Sequence, residues 1–363
     1  MCAARLPPDD EGDRGQGLER GFDPARAAGA MINRREFAGL AAAGAAVSRP
    51  GVAKANAEGM TTIHSLRSQF VPGDVRVALY RPPGYDGQRP ATYPLLLLLH
   101  GGNGSEQDLL LFTKLIDAEI LSGRLPPLVI AMPAARRSLY MDYRDGSERW
   151  ESLILGDLLP FLRREAHVGR TREQTFIGGW SMGGLGSLRI AFKHPDIFCA
   201  VAALEPAIEP VLAWQDVGPR VKFWRPDAVL HSMFGTPIDP DYWASNNPAT
   251  IASRDADRLV DLRIYLEVGD QDMLYLYEGA EFLHRILFDA RLAHEYRLVH
   301  GADHVGPSLR PRLMDALGFI GRQILPPPWI DQGVRDLRSF MDRQKQAVGL
   351  EIEPVDPRRL KAR

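Results

Sequence analysis

Thr175-Phe176-Ile177-Gly178-Gly179-Trp180-Ser181-Met182-Gly183-Gly184 passes from an apolar stretch into a Gly-x-Ser-x-Gly element, and Leu185-Gly186-Ser187-Leu188-Arg189-Ile190-Ala191-Phe192 follows with apolar residues at helical spacing. The pattern predicts a strand, a sharp turn and a helix, with Ser181 at the apex. So tight a turn strains its central residue, and flanking glycines remove the Cβ atoms that would collide. The Ser181 hydroxyl is pushed outward as a candidate nucleophile.

A serine used this way needs an oxyanion-binding loop upstream and, downstream, an acid and then a histidine. Tyr93-Pro94-Leu95-Leu96-Leu97-Leu98-Leu99 has the length and continuity of a strand buried on both faces, and it ends in His100-Gly101-Gly102-Asn103-Gly104. Backbone N–H groups of such a loop face a developing alkoxide. The expected donors are the amides of Gly102 and Met182. Losing one donor of this kind costs about 3–4 kcal/mol of transition-state stabilisation. His100 and Trp180, beside the donor loop and the nucleophile, are candidate substrate contacts.

Chain order removes His64, His100, His167, His194 and His231 as the base. His284 lies on an amphipathic, helix-like stretch, while His294 and His300 bound a strand-like segment, His294-Glu295-Tyr296-Arg297-Leu298-Val299-His300. His304 lies in the loop that follows, where a base can reach over the nucleophile, and it is the assignment; His300 is the alternative. Leu262-Arg263-Ile264-Tyr265-Leu266-Glu267-Val268 leads into Gly269-Asp270-Gln271-Asp272, and Asp272 is the favoured acid. Asp270 competes as a loop brace. Glu205, at the end of the apolar Phe198–Leu204 strand, is both a third acid and a candidate substrate contact.

Leu99-His100-Gly101-Gly102, Gly179-Trp180-Ser181-Met182-Gly183-Gly184, His194-Pro195-Asp196-Ile197-Phe198, Gly269-x-x-Asp272 and Gly301-x-x-His304 together resemble the putative-esterase branch of the α/β-hydrolases. That branch includes esterase D-like formylglutathione hydrolases, feruloyl and acetyl-xylan esterases, and mycolyltransferase antigens. The resemblance covers residues 70–322. It implies an α/β-hydrolase fold with a mostly parallel central sheet, and a serine esterase with Ser181 as nucleophile, Asp272 as acid and His304 as base. The expected substrate is a small-molecule or glycan-linked ester. An exported acyltransferase using the same residues and a catalytically silent binding protein of the same fold are the alternatives. Glu205–Leu259 matches no member closely enough to carry over substrate contacts.

The rest of the chain agrees with an alternating α/β domain. Val75–Tyr80 and Pro127–Met132 read as strands, and Gln107–Leu121 and Trp150–Ala166 as helices, the last with Leu153, Leu158 and Leu162 facing inward. From Pro206 to Ser253 the rhythm breaks, in a segment carrying Trp214, Phe223, Trp224 and Trp243. An insertion of that kind is expected to be a lid, although its aromatics can equally pack it onto the covering helices. Pro326-Pro327-Pro328-Trp329 marks the domain end, and 326–363 is expected to be an extension with a peripheral helix over Arg335–Gln346.

Composition is that of an ordinary globular chain, with 45% hydrophobic and 25% charged residues and a formal charge of −2. Lys and Arg are dispersed, so no nucleic-acid partner is implied, and no apolar run approaches the 18 or more residues of a membrane span. No Cys/His cluster has metal-ligand spacing, so neither metal nor cofactor is expected. Cys2 and Cys199 are the only cysteines, and Cys2 falls in a segment expected to be removed. Arg34-Arg35 before the weakly hydrophobic Ala/Gly-rich run 38–47, with Ala55-Asn56-Ala57 beyond, resembles a twin-arginine (Tat) export signal with a small-x-small cleavage site. A leader of 1–57, with a natural start at Met31, is therefore expected to engage the Tat machinery and to leave a periplasmic or secreted domain. Its removal leaves 363 − 57 = 306 residues. The expected hydrolase domain spans 58–325.

Overall fold

The computed structural model describes residues 58–352. The export signal expected within 1–57 and the last residues of the C-terminal extension lie outside them. Eight strands form one sheet: β1 (Met60–Arg67), β2 (Asp74–Arg81), β3 (Leu95–Leu99), β4 (Val129–Pro133), β5 (Thr175–Trp180), β6 (Ala200–Leu204), β7 (Arg263–Gly269) and β8 (His294–Val299). Their order is β1-β2-β4-β3-β5-β6-β7-β8. β1 pairs with β2 and β2 with β4 antiparallel, and every later pairing is parallel.

The leucine run of β3 shows why the central strands read as unbroken apolar stretches. Leu95, Leu97 and Leu99 enter one core and Leu96 and Leu98 the other, because successive side chains leave opposite faces of the sheet. The first core is covered by four helical stretches: residues 150–165 (α2), Met182–Lys193 (α3), Pro248–Arg254 (α7) and Leu276–Asp289 (α8). The second is covered by Thr113–Leu121 (α1) and Leu309–Ile324 (α9).

Two expected helices are segmented. Gln107–Leu121 is a 3-10 stretch, Glu106–Leu111, capped by the Ser105 hydroxyl, followed by α1. Within α2, Ile154–Leu158 forms a π turn, closed by the amide of Leu159 on the carbonyl of Ile154. The wider turn accommodates the five-residue step from Leu153 to Leu158, and Leu153, Leu158 and Leu162 are all fully buried.

The segment after β6 contains short helices: Pro219–Lys222 (α4), Asp227–Phe234 (α5) and Pro240–Ala244 (α6). They enclose a third, smaller core of Met141, Val217, Val221, Leu230, Met233, Phe234, Ile238 and Trp243. Trp243 is 1% exposed. Of the aromatics named in the sequence, Trp214, Trp224 and Trp243 pack the insertion, Phe223 is exposed, and Trp224 also lines the pocket described below. Arg189 of α3, itself buried, donates to the carbonyls of Leu139 and Asn246 at 2.6 and 2.7 Å and ties the helix behind Ser181 to this segment. The C-terminal Gln332–Ala347 helix (α10) buries none of its residues. No helix among the described residues is long and apolar enough to cross a membrane.

Candidate active site

Ser181 sits between β5 and α3 with φ 55° and ψ −118°, a left-handed backbone that a serine adopts only under constraint. The constraint is close packing under the turn. A Cβ on Gly183 would lie 2.1 Å from the carbonyl oxygen of Leu99, and one on Gly179 would lie 2.5 Å from the same atom. Both glycines of the Gly-x-Ser-x-Gly element are thus fixed by the approach of β3. The turn is pinned by the Ser181 amide donating to Leu204 O at 3.0 Å and the Leu185 amide donating to Ser181 O at 2.9 Å.

Nε2 of His304 lies 3.1 Å from Ser181 Oγ, and its Nδ1 lies 2.8 Å from Oδ2 of Asp272. With a proton on Nδ1 shared toward the carboxylate, Nε2 presents a lone pair to the serine hydroxyl. The other carboxylate oxygen of Asp272 accepts from the Leu274 amide at 2.8 Å, and the Asp272 side chain is fully buried. Asp303 binds the two loops together, its Oδ1 accepting from the amides of Met273 and His304. Burial alone would lower the proton affinity of His304. The hydrogen bond to Asp272 and the charges of Glu205 and Asp272 outweigh it, and its pKa lies above the ordinary imidazole value.

The competing residues occupy other places. Asp270 accepts from Gly301 N at 2.7 Å and pairs with His300 Nδ1 at 2.8 Å, bracing the end of β8. The His300 side chain is 96% exposed and faces solvent. His284 is bonded to His294 and stacked on Tyr296 with ring centroids 4.3 Å apart. Among the histidines of the described residues, only His304 is hydrogen-bonded to both a serine and a carboxylate.

Gly102 and Met182 both line the pocket at Ser181. Met182 is the first residue of α3, so its N–H has no partner within the helix. Arg137 holds the facing loop, donating from Nε to Gly102 O at 3.2 Å and from Nη2 to Asn103 Oδ1. His100 departs from the role expected for it. Its ring is fully buried, bonded through Nδ1 to Gly101 O at 2.7 Å and accepting at Nε2 from the Ala135 amide at 2.9 Å. Burial also lowers its pKa. It is a strut under the loop rather than a group facing substrate. Trp180 does line the pocket, its ring set edge-on to Phe112.

Glu205 follows β6 with φ 38° and is 1% exposed. It touches the pocket, but its Oε2 accepts from Arg312 Nη2 at 2.9 Å and lies 3.9 Å from His304 Nδ1. Arg312 also pairs with Glu267 and donates to Asp303 O. Burial pushes the Glu205 carboxyl up to about 7, against the pull of Arg312 and His304. Neither Arg312 nor Glu267 was singled out by sequence reasoning. The available signal was an arginine at the inward face of an amphipathic helix just after His304.

Glu205, Asp272 and His304 offer ligand-type atoms within 4.8 Å of one another. Each is already engaged, Glu205 by a guanidinium and His304 Nδ1 by Asp272, and a cation would have to displace Arg312. The set is held together by these hydrogen bonds. At it opens a cavity of about 540 Å³ with a mixed lining. Asn103, Asp108, Arg137 and Arg225 are polar; Leu139, Trp224, Val229, Leu230, Met233 and Leu274 are apolar, most of them from the insertion.

Residues 68–319 match the family model described as "Putative esterase". An acetyl esterase of Caldicellulosiruptor saccharolyticus is 33% identical over 113 residues, 31% of this chain and 41% of that protein. A Mycobacterium tuberculosis protein named as an esterase is 28% identical over 189 residues, 49% of this chain and 39% of its own length. The match thus spans about two fifths of each of these curated relatives. Among solved structures, a ferulic acid esterase superposes with a TM-score of 0.62 at 20% identity, covering 74% of this chain and 99% of that one. An S-formylglutathione hydrolase from Agrobacterium tumefaciens gives 0.60 at 18% identity, covering 76% and 98%. At these identities the superpositions speak to the fold, which is that of the α/β-hydrolases.

Proposed function

The chain belongs to the putative-esterase family, and from that premise we propose that it is a serine hydrolase that cleaves a carboxylic ester through an acyl-enzyme intermediate. One observation carries the reading: His304 hydrogen-bonded between Ser181 and the buried Asp272. In this scheme Ser181 Oγ attacks the ester carbonyl while His304 Nε2 takes its proton, and Asp272 stabilises the imidazolium that forms. The C–O bond to the alcohol breaks, and His304 returns the proton to the leaving oxygen. Water then enters, gives a proton to His304 and attacks the acyl carbonyl; as the acyl–Oγ bond breaks, His304 returns that proton to Ser181 Oγ and the carboxylic acid is released. The Gly102 and Met182 amides are the proposed oxyanion donors.

The pocket's mixed lining of apolar side chains with Asn103, Asp108, Arg137 and Arg225 supports an ester with both apolar and polar parts, such as a small-molecule or glycan-linked ester. Burst kinetics with 4-nitrophenyl acetate test the reaction class: wild type should release 4-nitrophenol in a burst and then turn over, and an inert protein would sink the reading. A panel of aryl, acetyl-sugar and feruloyl esters then locates the substrate. If added glycerol or sugar diverts acyl groups into new ester in excess of free acid, the protein is an acyltransferase with the same residues.

Export by the twin-arginine route belongs to the same proposal. Arg34-Arg35, the weakly apolar run behind them and Ala55-Asn56-Ala57 support it. Replacing both arginines by lysine should trap the precursor in the cytoplasm. An exported protein that still carries residues 1–30 would refute the expected cleavage before Glu58.

A further inference from the structure

Behind His304 stand two carboxylates. Asp272 follows β7 and bonds to Nδ1; Glu205 follows β6, with Oε2 3.9 Å from the same nitrogen. A glutamate in that place is costly. Its φ of 38° strains the backbone, its side chain is removed from water, and its Oε1 has no hydrogen-bond partner. Arg312, from α9, compensates only part of this, because it divides its guanidinium between Glu205, Glu267 of β7 and the carbonyl of Asp303. Strain and unsatisfied polar groups of this kind persist where surrounding structure holds them in place, and they concentrate at working sites.

The charges facing Glu205 are Arg312 from α9, Glu267 from β7, Asp272 from the loop after β7 and His304 from the loop after β8. With Glu205 ionised, the three carboxylates and one guanidinium carry a net −2 around the imidazole. We propose that Glu205 is a positioning residue of the relay, a second anion that together with Asp272 sets the proton affinity of His304 and so the pH range in which Ser181 can be activated. This rests on the reading of Ser181 and His304 given above. The raised pKa of Glu205, caused by its burial, fits the geometry: with Oε2 3.9 Å from Nδ1, the carboxyl and the imidazole take up their protons as a coupled pair.

The sign of the effect follows directly. An anion near Nδ1 favours the imidazolium, so removing that charge lowers the His304 pKa and extends activity to lower pH. In Glu205→Gln the acid limb of kcat/KM for 4-nitrophenyl acetate should move down by about one pH unit and become a one-proton limb, with KM changed by less than about twofold. A merely structural glutamate would lower kcat evenly across pH and leave the midpoint in place, and that result overturns the proposal. Ser181→Ala is assayed in parallel. If it keeps turning over, the nucleophile reading itself fails; if it is dead while the Glu205→Gln midpoint stays put, only the role of Glu205 fails. Should Glu205→Gln not fold, the His304 imidazole is titrated by NMR in the wild-type protein, assigned by its loss in His304→Gln. A two-step curve supports the coupled pair, and a single one-proton step refutes it.

Discussion

The loops at the C-terminal ends of β5, β7 and β8 and the insertion after β6 both border the same pocket, yet they are held in different ways. Ser181, Asp272 and His304 leave the sheet within a few residues of its paired strands, and backbone hydrogen bonds such as Ser181 N to Leu204 O and Asp270 N to Val299 O pin those loops directly. The insertion is held by its own core around Trp243 and Met233, joined to the rest by ties such as those of Arg189. Ser181, Asp272 and His304 ride on loops pinned to the sheet, and Trp224, Val229, Leu230 and Met233 of the pocket lining ride on a layer with a core of its own.

The largest effects should come from the sheet side. Ser181→Ala and His304→Ala should each lower kcat by several orders of magnitude with the far-UV spectrum and melting temperature preserved, and the double variant should be no worse, because the two act as one unit. Single and double variants in steady-state assays decide it. A Ser181→Ala enzyme retaining more than about a tenth of wild-type kcat would show that the relay does not do the chemistry. Asp272→Asn comes next, with a loss of about 10³–10⁴ in kcat, because an amide neither fixes the tautomer of His304 nor stabilises its cation. Asp270→Asn should cost far less: Asp270 braces Gly301 and the exposed His300 and does not touch His304. Equal losses in the two variants would mean that loop order, and not the carboxylate behind the imidazole, is what matters.

The two regions also differ in how far their sequence reveals them. The relay was legible because each part has a local cause: a collision-free glycine on either side of Ser181, an apolar strand before each loop, and a fixed chain order. The doubly buried β3 was legible for the same reason. The edge strand β1, beyond β2 and β4 in the sheet, was not, since of its eight residues only Leu66 is buried, and a half-exposed edge strand leaves no alternation to find. His100 looked like a substrate contact because it adjoins the donor loop, but the direction of its ring is set by Ala135 and Gly101, and Ala135 lies on the far side of β4 in the chain. Glu205 read as a group at the pocket mouth, whereas Arg312, more than a hundred residues away, draws its carboxylate in beneath His304. The core of the insertion gathers Met141 with residues 217–243, a contact that no periodicity announces.

Smaller effects should separate pocket shape from chemistry. Leu230 and Met233 belong both to the core of the insertion and to the pocket wall. Met233→Ala should raise KM for esters with an apolar acyl group by about tenfold and leave kcat for 4-nitrophenyl acetate within about threefold, the signature of lost uniform binding. A chain-length series measures this. A fall in kcat with KM unchanged would show that the insertion helps set the geometry of the relay, and the division between the two regions would not hold.

The last prediction asks whether the insertion is a cooperative unit of its own. Trp243 fills the centre of its core, set edge-on to Trp214 with ring centroids 5.8 Å apart and almost no exposure. Truncation to alanine removes about 3–5 kcal/mol of local packing. If the insertion opens separately from the sheet, that cost falls on its local opening equilibrium, and amide exchange should quicken across α5 and α6 while β3, β5 and β6 keep their protection. The main melting transition should then move by only a few degrees, and the enzyme should still show its acylation burst, at a raised KM. If Trp243→Ala instead lowers protection throughout the sheet and shifts the main transition by the full amount, the third core is an extension of the first. In that case the Arg189 bonds to Leu139 and Asn246 are strong enough to make the two regions melt as one.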